Sequence, residues 1–270
     1  MKNKNIVHPF CLLFSLLIFH SCSVNKAKID NDLKRYFESN NLEGCFTMLN
    51  NANGEITVYN MNLDTSRYLP GATFKIVNAL IALQTGVVTD TAMVIKKNNT
   101  DSSSEKGNNI IEAFQIDGTP FFHETAKKIG RGTMQSWIDS LSYGNKNIQG
   151  PIDSFWFNNN LKISPDEQLG LLKKLYFDQL PFRKSVQQTV RDMMVQEDNS
   201  AYKLSYRTGF GFTENKEQVG WVTGWIEENK HVYFFVTLIK SKNPKADIKK
   251  TRLDITKDIL NHYEFFKGKK

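Results

Sequence analysis

The stretch Leu69–Leu80 reads Leu-Pro-Gly-Ala-Thr-Phe-Lys-Ile-Val-Asn-Ala-Leu. Pro70 and Gly71 end whatever precedes them, and apolar residues follow at helical spacing: Phe74, Ile76, Val77, Leu80 and Ile81. A buried helix starts this way. Lys75 is the exception, a cation in the first turn of a helix whose neighbours favour burial. Either its ammonium reaches water along its own stem, or it is paired, neutralised or used.

Working outward, the spacing predicts strands over 44–49 and 55–60, joined through Asn50–Gly54, whose closing Asn-Gly is a hairpin signal. A short helix over 29–38 precedes them. The helix bearing Lys75 runs to Gly86, and the wholly polar run 96–109 reads as an exposed loop inside the domain, because apolar patterning resumes on both sides. Helical patterns follow over 120–129 and 132–141. The capping box Ser164-Pro165-Asp166-Glu167 opens a helix to Phe177, and another covers 182–195. From Tyr202 the pattern changes to strands over 202–208, 217–226 and 232–240. Ile248, Ile255, Ile259, Tyr263 and Phe266 then step round one face of a closing helix. Strands split between the two ends of the chain must meet in one sheet. The expected fold is therefore α/β of the α+β type and two-lobed, with a five-stranded antiparallel sheet flanked by the terminal helices and a helical second lobe.

The 270 residues, 40% hydrophobic and 12% aromatic, suffice for a proper core and exclude a disordered chain. Residues 1–22 stand apart. Lys2 and Lys4 form a positive n-region, Ile6–Phe19 an apolar core too short to span a bilayer comfortably, and His20-Ser21-Cys22 a polar end. This has the form of a lipoprotein signal cut before Cys22, whose thiol then carries lipid; an ordinary secretory signal is the alternative. Either predicts an exported protein, membrane-anchored in the first case and facing the periplasm or the cell surface. Residues 23–42 are then a tether and the start of the N-terminal helix, and 43–270 the domain. Of three cysteines, Cys11 leaves with the signal and Cys22 is acylated. Cys45 alone remains, a small core residue in a strand, so the mature chain has no intramolecular disulfide. The formal net charge of +7 falls to +5 without Lys2 and Lys4, and much of the excess lies at Lys249–Arg252 and 267–270. No aromatic-interleaved basic motif accompanies it, which argues against nucleic acid. The basic residues from Lys249 to Lys270 read as a solvated face, with attraction to anionic membrane as the alternative.

Ordered motifs carry a resemblance. Pro70-Gly71-Ala72-Thr73-Phe74-Lys75, Tyr143-Gly144-Asn145, Leu161–Pro165 and Val219–Trp225 resemble those of the class D serine β-lactamases, within the wider group of penicillin-recognising enzymes and transpeptidases. The likeness runs from about residue 43 to 240. It implies a two-lobed α/β fold, β-lactam chemistry, and a serine three residues before a lysine on one helix face, so that the lysine takes the hydroxyl proton. It also implies oxyanion donors at the helix start and at the Phe210 amide, a lysine carbamylated in an apolar pocket, and a tryptophan, here Trp156, that helps hold the carbamate. Tyr143, Asn145, Arg207, Thr208, Gly209 and Phe210 fall at substrate-binding positions. The resemblance implies no metal and no other cofactor.

The sequence departs from that pattern at its centre. Ala72 stands where the nucleophilic serine belongs, and a methyl group cannot attack a lactam. Thr73 is turned about 100° round the helix, and Ser66 lies in the preceding loop. Losing the nucleophile of a serine hydrolase costs about 10⁶ in turnover. Asp117-Gly118-Thr119 replaces the family's Ser-x-Val, and Arg207 replaces the lysine of Lys-Thr-Gly. The family's Trp-Asp-Gly has no counterpart in 96–109. Three polar positions differ together, the mark of natural loss of hydrolysis rather than of one engineered change. Asp117 is then placed to ion-pair with Lys75, and with Arg207, which disfavours carbamylation.

What remains admits several roles. Arg207 either binds a ligand carboxylate bidentately or neutralises Asp117. Tyr143–Asn145 serves a ligand or only a turn. Trp156, Trp221 and Trp225 read as packing residues beside any ligand role, and His123, His231 and His262 show no metal spacing. Three functional readings follow. One is a lipid-anchored pseudoenzyme binding β-lactams or peptidoglycan stem peptides non-covalently. The second is a working β-lactamase with an unconventional nucleophile or an engineered Ser-to-Ala change. The third is a structural or partner-binding protein with a vestigial site.

Overall fold

A computed structural model describes residues 27–96, 107–116 and 120–268. Asp117, Gly118, Thr119 and Cys22 lie outside them, as do the expectations placed on them and most of the polar loop. In chain order the elements are β1 (Ala27–Ile29), α1 (Lys34–Glu38), β2 (Glu43–Asn50), β3 (Ile56–Tyr59), α2 (Met61–Asp64) and, after a 3₁₀ turn at Gly71–Phe74, α3 (Lys75–Gln84). Then come α4 (Ile110–Gln115), α5 (Phe121–Ile129), α6 (Arg131–Leu141), α7 (Pro165–Tyr176) and α8 (Lys184–Met194). β4 (Val195–Asp198), β5 (Tyr202–Phe212), β6 (Gln218–Glu228), β7 (His231–Ser241) and α9 (Ile248–His262) complete the order.

The strands form one sheet of seven, in the order β1-β3-β2-β7-β6-β5-β4. The five expected strands are its centre. The expectation of five, all antiparallel, is corrected at both edges: β1 joins β3 in parallel and β4 joins β5. Both additions are short, three and four residues, and their exposed or alternating side chains lack the apolar run that announces a central strand. The expected helix over 29–38 likewise resolves into the end of β1, a 3₁₀ turn and α1.

Alternation along β6 and β7 divides the core. Trp221, Trp225, Phe234, Val236 and Leu238 face the helical lobe together with α3 and α7. Val222, Ile226, Phe235 and Ile239 face α9 and α1. Strands buried on both sides read as nearly continuous apolar runs, and every residue of Gln218–Ile226 is buried. α3 runs through the helical core. Asn78, fully buried on it, donates to the Phe122 carbonyl at 3.1 Å and accepts from Thr125 at 3.2 Å, which fixes α5 across it.

Candidate functional site

The turn at Gly71–Phe74 is held from three sides. The Gly71 amide donates to the Trp156 carbonyl at 3.1 Å, and the Trp156 ring stacks on Phe74 at 5.3 Å. From the sheet side, β5 presses directly on the turn. A Cβ on Gly71 would lie 2.5 Å from the Phe210 carbonyl oxygen, and one on Gly209 would lie 2.7 Å from the Pro70 carbonyl oxygen. Gly71 also has φ +54°, a conformation that favours glycine. Two glycines thus let backbone meet backbone where Thr208–Phe210 flanks Ala72. From below, Thr73 donates its hydroxyl to the Pro70 carbonyl at 2.8 Å and accepts from Gln168 Nε2 at 3.0 Å. Tyr143, buried, bonds to Thr73 and Gln168, and its burial raises the phenol far above its ordinary range.

Thr73 therefore faces inward, as the helical turn predicts, and Ser66 donates to the Asn62 carbonyl at 2.6 Å within its own loop. Ala72, between the two in sequence, is buried and carries no hydroxyl. Lys75 opens α3 and is 8% exposed. Its Nζ donates to the carbonyls of Ala113 at 3.0 Å and Ile116 at 2.6 Å, and lies 5.5 Å from the centre of the Phe122 ring. A carbamylated nitrogen carries a single N–H and could serve only one of these carbonyls. These two contacts are those of an amine or ammonium donor.

Arg207, 5% exposed, lies over the Phe114 ring at 4.8 Å, with Nη1 3.3 Å from Gln115 Oε1. It thus meets the end of α4, on the sheet face shared with Thr223. Thr208 points to the other face, where its Oγ1 accepts from Arg252 Nη2 at 3.0 Å, while Arg252 Nη1 donates to the Gly209 carbonyl. Arg252 is 4% exposed. The solvated-face reading of the Lys249–Lys270 cations is corrected at this residue. The sequence carries a signal for it: Ile248, Arg252, Ile255 and Ile259 fall at i, i+4, i+7 and i+11, so Arg252 lies on the apolar stripe of α9. Gln168 is the second residue the sequence reading omits.

Tyr143-Gly144-Asn145 is a turn clamped to the chain before α7. Asn145 donates to the carbonyls of Lys162, from its backbone at 2.9 Å, and of Asn160, from its side chain at 2.7 Å. Its side-chain oxygen accepts from the Lys162 amide at 2.9 Å. Trp156 is buried between Phe74, Phe155 and His123, and His123 Nδ1 lies 2.5 Å from the Asp153 carbonyl. His262 Nδ1 lies 3.2 Å from Arg35. No group of three His, Cys, Asp or Glu among the described residues is arranged to hold a metal.

A seven-stranded sheet between a terminal-helix layer and a helical lobe, with a lysine at the start of the buried central helix and an Arg-Thr-Gly strand against its N-terminal turn, defines a class, that of the penicillin-recognising proteins. Residues 44–261 match the penicillin-binding protein transpeptidase domain. β-Lactamase OXA-5 of Pseudomonas aeruginosa is 33% identical over 229 residues, covering 82% of this chain and 86% of that protein. The class D β-lactamase of Sebaldella termitidis superposes with a TM-score of 0.83 at 28% identity, over 89% of this chain and 99% of that one. The C-terminal domain of the Bacillus licheniformis BlaR penicillin-receptor does so with a TM-score of 0.80 at 25% identity, over 90% and 98%. The chain belongs to the penicillin-binding protein transpeptidase domain family, in its class D β-lactamase-like branch.

Proposed function

We propose that this protein binds β-lactams or peptidoglycan stem peptides non-covalently and without turnover, as an exported lipoprotein anchored through Cys22. The observation that carries the reading is the chemistry at the head of the central helix. The position that matches the family's nucleophile is Ala72, and the neighbouring hydroxyls of Thr73 and Ser66 donate to backbone carbonyls. The Lys75 amine donates to two carbonyls as well. An acyl transfer needs a hydroxyl within hydrogen-bond reach of its base, and neither of these hydroxyls is offered to Lys75.

The cationic side of the site is retained. Arg252 meets Thr208 on one face of the strand beside Ala72 and Arg207 lies on the other, and guanidinium groups suit the carboxylate that β-lactams and stem peptides carry. The similarity to a domain named a penicillin receptor agrees with binding as an end in itself.

Intact-mass spectrometry after incubation with benzylpenicillin, followed by calorimetric titration with the same compound and with a stem peptide, tests the reading. Expected is saturable heat with an unchanged protein mass. An acyl adduct, or turnover of a chromogenic cephalosporin above background, would establish the alternative of a working β-lactamase. No heat with either ligand would leave a vestigial site on a structural or partner-binding protein.

A further inference from the structure

The register of the sheet places both ends of the described residues at one pole and the site at the other. Ala27, where β1 begins, pairs with Ile56 of β3, and Ile56 pairs with Leu49 near the end of β2. Asn50 pairs with Tyr233 of β7, Tyr233 with Ile226 of β6, and Glu228 with Tyr202, the first residue of β5. One end of the sheet therefore carries the start of β1, the β2–β3 turn, the β6–β7 turn and the β4–β5 turn. The C-terminal segment closes the same end. Phe265 packs on Tyr233 at 4.5 Å, Phe266 on Tyr202 at 4.9 Å, and a Cβ on Gly268 would lie 3.0 Å from Ala201. The Thr208–Phe210 segment that flanks Ala72 lies up to eight residues further along β5, about 27 Å at the rise of an extended strand.

Cys22 is five residues before Ala27, a span of at most about 18 Å even when fully extended. If Cys22 is acylated, the start of β1 cannot leave the bilayer surface by more than that distance. We infer that the sheet end formed by the 50–55, 199–202 and 228–231 turns with residues 265–268 is the membrane-facing surface, its partner the headgroup layer holding the Cys22 acyl chains, and that the site therefore opens away from the membrane. The inference rests on the lipid-anchor reading above.

The chemistry of this end suits contact with headgroups. Lys28, Lys203, Lys230 and Lys267 are interspersed with Glu55, Asp198, Glu227 and Glu264, and Lys267 and Lys203 pair with Glu264 and Asp198 at 2.9 and 3.6 Å. The half-exposed Phe177 ring opens beside Asn51 and Ala201 in a cleft of about 420 Å³. Charges of both signs give no strong pull of their own, so attachment depends on the acyl chains. A site so directed meets soluble or wall-borne carboxylates rather than lipid-linked ones.

The mature chain has no accessible thiol in the described domain, since Cys45 is buried. Ser200→Cys and Glu214→Cys thus place a single fluorophore at either pole of the sheet. The full chain, matured in cells and reconstituted in phosphatidylethanolamine–phosphatidylglycerol vesicles with headgroup-region nitroxide lipid, is the sample. Expected is strong quenching at position 200 and little at 214. Equal quenching, or stronger quenching at 214, on a chain whose mass shows the acyl groups would overturn the orientation alone. A mature chain without acyl mass on Cys22 would overturn the anchor, and the orientation with it.

Discussion

Arg252 of the last helix donates to the hydroxyl of Thr208 at 3.0 Å and, through its other terminal nitrogen, to the carbonyl of Gly209. The guanidinium is thereby fixed beside the strand that flanks Ala72. A carboxylate at Thr208 would take up a charge-assisted bond whose geometry already exists, worth about 1.5–3 kcal/mol. Arg252→Ala is expected to weaken benzylpenicillin binding by about tenfold or more, and the penicillin methyl ester to bind the parent protein and the variant alike. Calorimetry with both compounds checks this.

Lys75 is expected to stay uncarbamylated. Bicarbonate labelled with carbon-13, added to the mature protein at pH 8, should give no carbamate resonance, because the modified nitrogen would leave the carbonyl of Ala113 or of Ile116 without its donor. Loss of the Ala113 bond, the buried one of the two, costs about 1–3 kcal/mol. A bicarbonate-dependent signal on Lys75 would contradict the geometry.

Ala72→Ser restores the hydroxyl but should recover little hydrolysis of a chromogenic cephalosporin. The amine that would take its proton already donates to two carbonyls. Near-normal turnover in this variant would mean that one missing oxygen explains everything.

Asp64 gives stability a pH dependence. It is 3% exposed, and one carboxyl oxygen has no hydrogen-bond partner among the described residues. Burial, helped by the charge of Asp166, raises its pKa from 3.8 to about 7. The unfolded chain releases this proton near pH 4 and the native one only near 7, so over that window the unfolded state binds fewer protons and stability falls as pH rises. The loss is at most on the order of 4 kcal/mol and is complete above the folded pKa. Asp64→Asn should flatten the profile, raising the denaturation midpoint at pH 8 more than at pH 4. Urea unfolding at the two pH values is the measurement.

Gly144 has φ +52°, and a Cβ there would lie 1.9 Å from the Lys162 carbonyl oxygen, a backbone atom with no side-chain freedom to yield. Gly144→Ala should destabilise the protein by about 2 kcal/mol or more, from strain and the displaced turn together. Thermal unfolding would register this as a fall of several degrees. A neutral result would mean that Tyr143–Asn145 is not clamped to the strand-like segment before α7.

The lessons for reading such a chain lie in particular residues. The central helix, the five inner strands, the capping box at Ser164 and the closing helix are legible because each follows from local periodicity or from turn chemistry within a few residues. The edge strands β1 and β4 are not, since three or four residues of mixed polarity become strands only when a neighbour offers its backbone. The alanine at position 72 is likewise plain in the sequence, because identity at an aligned motif needs no geometry. Arg252 is hidden for the opposite reason: its charge reads as solvent-facing until its place on the apolar stripe of α9 is weighed.

By itself the amino-acid order determined the two-lobed class and the alanine at position 72, three residues before Lys75. Only the tertiary structure decided what the remaining polar groups do. Lys75 meets the carbonyls of Ala113 and Ile116, Tyr143 and Gln168 support Thr73 from beneath, and Arg252 reaches Thr208 from 44 residues away. Partners so distant in sequence are chosen by how sheet and helices pack, and no local pattern encodes that choice.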